Sequence, residues 1–261
     1  MNNERSMENF HTGKIEATVL FLDIENFTGI TEILCPRETY QFIRKVILPL
    51  TECVKRHKGY VCQVQGDAIM AVFGHDDTSS GHAHNAVQCA REQRTEVQKL
   101  NPVLISDYRI PLSVRIGISS GPMYACYNAL PDRKEYTVLG RKVNIAFRLQ
   151  EINKRYGTNI LIDASTFAYI KTGVLTRKLD MVKINGCSGT LPVFEVLSPV
   201  VHCPEKAFQR KECYEKGLEH YRSGNWDRAI HFFSQIAEDR ASYIMIERCK
   251  RYKTASDKEN C

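Results

Sequence analysis

The apolar residues of this chain follow two spacings, one typical of strands and one typical of helices. Short apolar runs bounded by turn-forming residues predict strands at 16–23, 60–65, 68–73, 110–119, 123–126, 135–139, 159–162, 178–184 and 192–197. Apolar residues three and four apart predict helices that begin near residue 30 and that cover 36–57, 81–100 and 141–156, with a short helix capped by Asp163. The strand–helix–strand–strand–helix–strand order predicts an α+β fold, with helices on one side of a mainly antiparallel sheet.

The last fifth of the chain has a different, purely helical pattern. A linker from Ser198-Pro199 to Cys203-Pro204 separates a domain at 15–199 from helical residues at 205–252. The apolar positions that define this pattern are Tyr214, Gly217, Leu218, Tyr221, Trp226, Ala229, Ile230 and Phe233. With Gly224-Asn225 as the turn, they predict a tetratricopeptide-like helical hairpin that must pack on the domain or on a partner, with a third helix at 239–252 as a cap. Residues 1–14 and 253–261 are predicted to be disordered ends.

Composition and charge indicate a globular protein and give no sign of nucleic-acid binding. The chain has 261 residues, of which 43% are hydrophobic and 25% charged, with a net charge of +6 spread along its length. These values are ordinary for a globular protein, and without a long basic stripe they do not indicate nucleic-acid binding. A mild positive charge is compatible with an anionic small-molecule ligand.

Cysteine usage and the absence of targeting signals predict a cytoplasmic protein. The chain has ten cysteines. They show no C-x-x-C spacing, so reduced and mostly buried thiols are expected. The first ten residues are polar, and no apolar run approaches the length of a membrane span.

Two aspartates stand at the ends of apolar strands. Asp23 follows the run TVLFL, and Asp67 forms a Gly-Asp turn before the run AIMAVF. If the two strands pair, both carboxylates lie side by side and suit Mg²⁺ or Mn²⁺ and, through the metal, a polyphosphate. The alternative is that Gly66-Asp67 is only a turn and that Asp23 only solubilises a strand end.

Two closely spaced histidines, His82 and His84, could be considered as metal ligands. His82 and His84 are two residues apart at the start of a predicted helix. Zinc sites need three or four protein ligands, and no third ligand is near in sequence. A solvated first helical turn is therefore the favoured interpretation.

A second group of polar residues lies on the predicted helix at 141–156. Asn144 and Arg148 are spaced i,i+4 and therefore share one face, beside an apolar stripe. An amide and a guanidinium so placed suit a ribose oxygen and a phosphoryl oxygen. On a lone helix, two solvated polar residues would be the favoured interpretation.

The combined motifs FLDIENFT, GDAIMAVFG, VRIGISSG and YTVLGRKVNIAFRL, in this order and spacing, resemble the class III adenylyl and guanylyl cyclase catalytic domain. The resemblance covers residues 15–197 and implies a ferredoxin-like βαββαβ core with extra strands. The stretch RKLDMVKINGCSGTLPVFEVL and the helical tail also resemble bacterial members of the family.

The resemblance implies a role for individual positions. Asp23, Asp67 and the carbonyl of Ile24 match its metal ligands, and no Walker-type glycine loop is present, so the loop after Asp23, with Phe27 and Thr28, is expected to hold the phosphates. The remaining matched positions are Asn144 (ribose), Arg148 (transition state), Gln63 and Thr137 (purine) and Arg115 (triphosphate).

The implied reaction converts ATP to 3′,5′-cyclic AMP and pyrophosphate with two Mg²⁺ or Mn²⁺ ions per site. In the family one subunit supplies the aspartates and the other the Asn and Arg. This chain has both sets, so a homodimer with two sites is expected.

Three departures from the family pattern leave alternatives open. Gln63 stands where adenylyl cyclases usually have Lys and guanylyl cyclases Glu, so GTP is a possible second substrate. The other departures are Cys126 and Ala129 in place of glycines, and Asn185-Gly186-Cys187 in place of Lys-Gly-Lys, for which Lys183 is a possible substitute. A guanylyl cyclase of relaxed selectivity, a nucleotide-binding module without turnover and an interaction adaptor built on the helical tail are the competing hypotheses.

Overall fold

The computed structural model describes residues 10–76, 81–130, 133–170, 173–184, 189–198, 205–236 and 238–259. The predicted linker after Ser198 and the segment Asn185-Gly186-Cys187 lie outside these ranges. The strands are β1 (Gly13–Ile24), β2 (Gly59–Gln65), β3 (Ala68–Phe73), β4 (Val114–Leu130), β5 (Arg133–Leu139), β6 (Ile160–Asp163), β7 (Leu175–Lys183) and β8 (Thr190–Ser198). The helices are α1 (Phe27–Ile33), α2 (Pro36–Arg56), α3 (His82–Tyr108), α4 (Arg141–Tyr156), α5 (Ala164–Tyr169), α6 (Glu205–Arg222), α7 (Trp226–Ser234) and α8 (Arg240–Glu259).

The strands form one sheet in the order β2-β3-β1-β4-β6-β8-β7, with β5 paired to β4. The pairs are antiparallel except for β4 with β6, which are parallel. A parallel pair requires a crossover connection, and α4 lies in it. The predicted α+β fold with a mainly antiparallel sheet is therefore confirmed.

Helices cover both faces of this sheet. Leu20 and Leu22 of the central strand β1 share a core with α2 and α3. Phe21 points to the opposite face, where its ring meets that of Phe147 on α4 with centroids 5.5 Å apart. The prediction that the helices lie on one side is therefore wrong: α2 and α3 cover one face and α4 the other. Both faces of β1 are apolar, as expected for a strand that is covered by helices on both sides.

Gly117 of β4 explains how closely α4 approaches the sheet. A Cβ atom at this position would overlap backbone atoms of Ala146 and Gln150 in α4. Only glycine allows this contact, so the helix lies directly on the strand.

Three of the element boundaries that differ from the prediction have a clear physical reason. Helix α1 begins at Phe27 instead of near residue 30, because Asn26 takes a left-handed conformation (φ 57°) and completes the turn after β1. Helix α3 continues through Pro102 to Tyr108, since the buried Leu104 packs its extra turns into the core. Strand β4 continues through 121–122, which pair with β1, so two predicted strands are one.

The ends of the chain are more ordered than predicted. Phe10 packs against Tyr60 and Tyr136, and the Tyr136 hydroxyl donates to the backbone oxygen of His11. Residues 10–14 are thus part of the fold, and residues 1–9 lie outside the described ranges. At the other end α8 reaches Glu259, so residues 253–259, predicted to be disordered, are helical.

Helices α6 to α8, called here the helical segment, occupy most of the range predicted to be helical. Gly224 takes a positive φ of 74°, and Asn225 caps α7 by accepting from the Arg228 amide. The tetratricopeptide relation of the helical segment stays a prediction. Among the described residues, no helix combines the length and apolarity needed to span a bilayer.

The described cysteines are not joined in disulfides. All seven are free thiols, and those at positions 53, 89 and 249 are buried. Burial raises the pKa of the Cys53 thiol to about 11, with a further contribution from the charge of Glu92. These buried thiols therefore behave as core residues.

Candidate active site

The pairing of β1 with β3 brings the two predicted metal-binding aspartates together. Leu22 of β1 lies opposite Ile69 of β3, so the end of β1 is adjacent to the start of β3. Asp23 follows Leu22, and Asp67 precedes β3 in the turn after β2. The two carboxyl groups are close enough for Asp67 to raise the pKa of Asp23.

Asp23 does not titrate like an ordinary aspartate. Partial burial raises its pKa to about 7, and the hydrogen bond and negative charge of Asp67 add to the effect. Arg115 and Gln150 lower it, but by less. Two carboxyl groups in contact resist double ionisation until a proton or a cation lies between them.

The residues present fit a divalent cation with a preference for oxygen ligands. Asp23 and Asp67 offer carboxylate oxygens, and Ile24, whose side chain has no ligand atom, can contribute only its backbone carbonyl. Such a donor set suits Mg²⁺ or Mn²⁺. Within the described residues, no group of three His, Cys, Asp or Glu side chains is arranged to hold a metal, so the remaining ligands would come from substrate and water.

The two histidines considered for a metal site, His82 and His84, have different surroundings. His82 is half-buried, and its Nδ1 lies 2.7 Å from the hydroxyl of Thr18 on β1. Its pKa is lowered by burial. His84 is exposed, as expected for a solvated first turn, so that prediction holds for one of the two residues.

Gln150 is a site residue that sequence reasoning missed. It lies on α4, is 6% exposed, and donates through Nε2 to Oδ2 of Asp23 over 3.1 Å. The signal was available: Gln150 is a polar residue that falls among the apolar positions of an amphipathic helix, and such residues are usually hydrogen-bonded when buried.

The loop after β1 supplies the other residues near the aspartates. Glu25 and Asn26 form a tight turn, and α1 begins at Phe27. The Phe27 side chain packs against the core, whereas Thr28 is exposed and accepts a hydrogen bond from Thr31 through its backbone oxygen. Of the two residues predicted to contact phosphate, Thr28 therefore presents its side chain to solvent, whereas that of Phe27 is partly buried.

Arg115 lies beside the aspartates and is held by an acidic neighbour. It is directly opposite Asp23 in the register of β1 and β4. Its Nη2 donates to Oε1 of Glu25 over 2.6 Å, and this hydrogen bond holds the pKa of Glu25 below its usual range. A triphosphate would compete with Glu25 for this guanidinium.

Asn144 and Arg148 lie on α4 but not at the aspartates of their own chain. Asn144 is exposed, and 43% of the Arg148 side chain is exposed. Arg148 donates to Glu151 over 2.6 Å, and its guanidinium lies 5.4 Å from the Phe147 ring centroid. Within one chain Gln150, not Arg148, is the α4 residue that contacts Asp23.

The predicted purine contacts lie on β2 and β5, two strands that are not paired with each other in the sheet. Gln63 is exposed on β2 next to a bulge, with its amide 3.5 Å from that of Gln65. Thr137 is half-buried on β5. Tyr60 of β2 and Tyr136 of β5 contact each other with centroids 5.6 Å apart, which brings the two strands together.

Comparison with known proteins assigns the chain to a family. Residues 11–197 match the sequence model of the Adenylate and Guanylate cyclase catalytic domain. The chain is 30% identical to Adenylate cyclase 1 of Rhizobium meliloti over 185 residues, which are 71% of this chain and 28% of that protein. It is 27% identical over 256 residues to the terminal-differentiation specific adenylate cyclase of Dictyostelium discoideum, with 93% of this chain and 12% of that protein covered. The chain therefore spans only about a quarter of the length of the first relative and about an eighth of the length of the second.

Solved structures agree with this assignment. The adenylyl cyclase CyaB from P. aeruginosa superimposes with a TM-score of 0.66 at 25% identity, covering 72% of this chain and 96% of that one. The guanylate cyclase domain of RhGC from Catenaria anguillulae, solved with GTP, gives a TM-score of 0.62 at 26% identity, covering 71% and 98%. The chain therefore belongs to the family of adenylate and guanylate cyclase catalytic domains.

Proposed function

We propose that this chain converts ATP to 3′,5′-cyclic AMP and pyrophosphate in a site shared by two subunits of a homodimer. The observation that carries the proposal is the contact between the carboxyl groups of Asp23 and Asp67. A partly buried pair of acids in contact is costly to a fold unless it shares a proton or holds a cation. The names of the relatives, several of which are adenylate cyclases, favour ATP as the substrate.

In the proposed reaction the ribose 3′-oxygen attacks the α-phosphorus. A bond forms between these atoms, the bond from the α-phosphorus to the oxygen that bridges to the β-phosphate breaks, and pyrophosphate leaves with that oxygen. The proton of the 3′-hydroxyl leaves with a base, for which no side chain stands out. Two divalent ions, Mg²⁺ or Mn²⁺, held by Asp23, Asp67 and the Ile24 carbonyl, would stabilise negative charge on the attacking and leaving oxygens.

The other residues would bind and orient the nucleotide. Asn144 would hydrogen-bond a ribose oxygen, and Arg148 would stabilise the charge that grows on the α-phosphoryl oxygens. Arg115, released from Glu25, and the backbone near Phe27 and Thr28 would bind the phosphates. The purine edge would contact Gln63 and Thr137.

The exposure of Arg148 supports a shared site. In its own chain this guanidinium is paired with Glu151 and faces solvent. Its proposed role, however, is to contact a phosphate that is bound next to the aspartates. A two-fold dimer would bring α4 of each chain to the aspartates of the other and form two equal sites.

Gln63 favours a second candidate, a cyclase of relaxed purine selectivity. A neutral amide both donates and accepts, so it can pair with the adenine edge or, after a flip, with the guanine edge. The third candidate, a module that binds nucleotide without turnover, shares the same binding residues and differs only in product formation.

Product assays distinguish these candidates. Purified chain is incubated with Mn²⁺ and either ATP or GTP, alongside Asp67→Ala and Arg148→Ala. Matched controls are Asp107→Ala, an exposed acid paired with Lys45, and Arg155→Ala, a basic residue near the end of α4. Cyclic product that is lost in the two site variants and kept in the two controls supports the proposal. Nucleotide binding with no product in any metal would instead support the binding module.

A further inference from the structure

The helical segment shares a hydrophobic core with α4. This core contains Ile145 and Leu149, each of which directly follows a proposed catalytic residue of α4. It also contains buried residues from all three helices of the segment, namely Tyr214, Leu218, Ala229, Phe233, Ala241, Met245 and Cys249. The helix that presents Asn144 and Arg148 is therefore packed in a core that the helical segment completes.

A buried polar cluster joins the same elements at the C-terminal end of α4. The Tyr156 hydroxyl of α4 donates to Oδ2 of Asp180 on β7 over 2.5 Å. Arg248 of α8 donates to the same oxygen over 2.5 Å, and its Nη2 donates to the Tyr156 hydroxyl over 3.0 Å. Tyr156 is 1% and Asp180 5% exposed, so water cannot replace these hydrogen bonds easily.

A second set of buried hydrogen bonds holds the helical segment on β7 and includes no residue of α4. Arg177 of β7 donates through both terminal nitrogens to Asp239, directly before α8, over 2.8 and 2.9 Å. The Tyr214 hydroxyl of α6 donates to the backbone oxygen of Leu179 over 3.0 Å. The helical segment is thus attached to β7 by several hydrogen bonds, and among those named here the ones of the Tyr156 cluster also include α4.

We propose that Tyr156 and Arg248 are positioning residues, through which α8 fixes the placement of α4 and hence of Asn144 and Arg148. This inference rests on the proposed function, in which those two residues act on the substrate of a neighbouring subunit. An α-helix transmits a displacement along its axis, and Tyr156 lies about 12 Å from Arg148 along α4 at 1.5 Å per residue. The helical segment is then part of the catalytic unit.

A matched pair of variants isolates this effect. Tyr156→Phe removes the hydroxyl of the cluster but leaves Asp180 paired with Arg248. Tyr214→Phe removes an equally buried hydroxyl, also at the junction with β7, but one whose hydrogen bond goes to the Leu179 carbonyl of β7 and not to the Tyr156 cluster. Both variants are expected to lose similar thermal stability. Only Tyr156→Phe is expected to lose kcat, by about tenfold or more with KM changed less than about twofold, because misplaced catalytic groups lower the rate steeply.

A second variant covers the case in which Tyr156→Phe has too small an effect. Arg248→Lys keeps a positive charge for Asp180 but lacks the planar fork that reaches both partners. It is expected to lower kcat in the same way. Unchanged kcat in both variants, or an equal loss in Tyr214→Phe, would overturn the proposal.

Mixed dimers show whether the effect acts through α4. Asp67→Ala chains mixed with Arg148→Ala chains form, by random pairing, one intact site in half of the dimers, or about a quarter of wild-type activity. Tyr156→Phe is then added either to the Asp67→Ala chain, which supplies the working Arg148, or to the Arg148→Ala chain. Loss mainly in the first arrangement supports the proposal, and equal loss in both overturns it. If the unmodified mixture recovers nothing, the shared site itself fails and the proposal fails with it.

Discussion

The pKa of Asp23 predicts that cation binding is coupled to the loss of a proton. Burial and the contact with Asp67 raise this pKa to about 7. A metal ligand must be deprotonated, so below that pH each binding event releases a proton. For one group with this pKa, the affinity for Mn²⁺ falls about thirtyfold between pH 8.5 and pH 5.5.

Calorimetry measures this coupling directly. Titrations of Mn²⁺ in two buffers with different ionisation enthalpies give the number of protons released. The expected values are about 0.9 at pH 6 and about 0.1 at pH 8. No proton release at pH 6, or equal affinities at pH 5.5 and 8.5, would refute the assignment of Asp23 as a ligand with a raised pKa.

Asp67→Asn provides the internal control. It removes the neighbouring negative charge, so the pKa of Asp23 falls, although burial keeps it above the ordinary value. Proton release at pH 6 is therefore expected to decrease. Without metal, the sign for stability follows from the same shift: the folded state binds the proton more tightly than an unfolded chain with a pKa of 3.8, so this group's contribution to stability declines as pH rises from about 4 to 7.

Substitutions at four positions test other parts of the structure. Gly117→Ala forces α4 away from β4 and should destabilise the fold by about 1–3 kcal/mol in denaturant unfolding, with loss of activity; a wild-type unfolding midpoint would contradict the packing described. Arg177→Met leaves the buried Asp239 with fewer partners and should cost about 3 kcal/mol, whereas Arg210→Met, which removes a partner that is 41% exposed, should cost less. Gln63→Lys should raise the ratio of ATP to GTP turnover and Gln63→Glu should lower it, and identical ratios would exclude this residue from purine selection.

The part of the site that could be predicted from the sequence rests on short-range patterns. Asp23 and Asp67 end and precede apolar runs of strand length, and pairing of those strands places the acids together. The bounds of α4, predicted as 141–156, were correct, because Gly157 takes a positive φ of 66° and ends the helix. Both predictions needed only local periodicity and turn chemistry.

The remainder depends on contacts between distant residues. Arg177 and Asp239 are separated by 62 positions, and each alone is an ordinary charged residue in a strand or before a helix. Gln150 gives a weak signal on its own, since its partner Asp23 is 127 positions away. The side of the sheet on which α4 lies was also not predictable, because both faces of β1 are apolar. Periodicity identifies buried positions but does not identify what covers them.

The central claim, that each site is built from two chains, is tested most directly by the dependence of specific activity on chain concentration. Cyclic AMP formation with Mn²⁺ and ATP is measured over a dilution series, with the oligomeric state followed by sedimentation in the same buffer. A shared site predicts that specific activity falls in parallel with the dimer fraction and vanishes for the monomer. Constant specific activity at concentrations where the chain sediments as a monomer would contradict it.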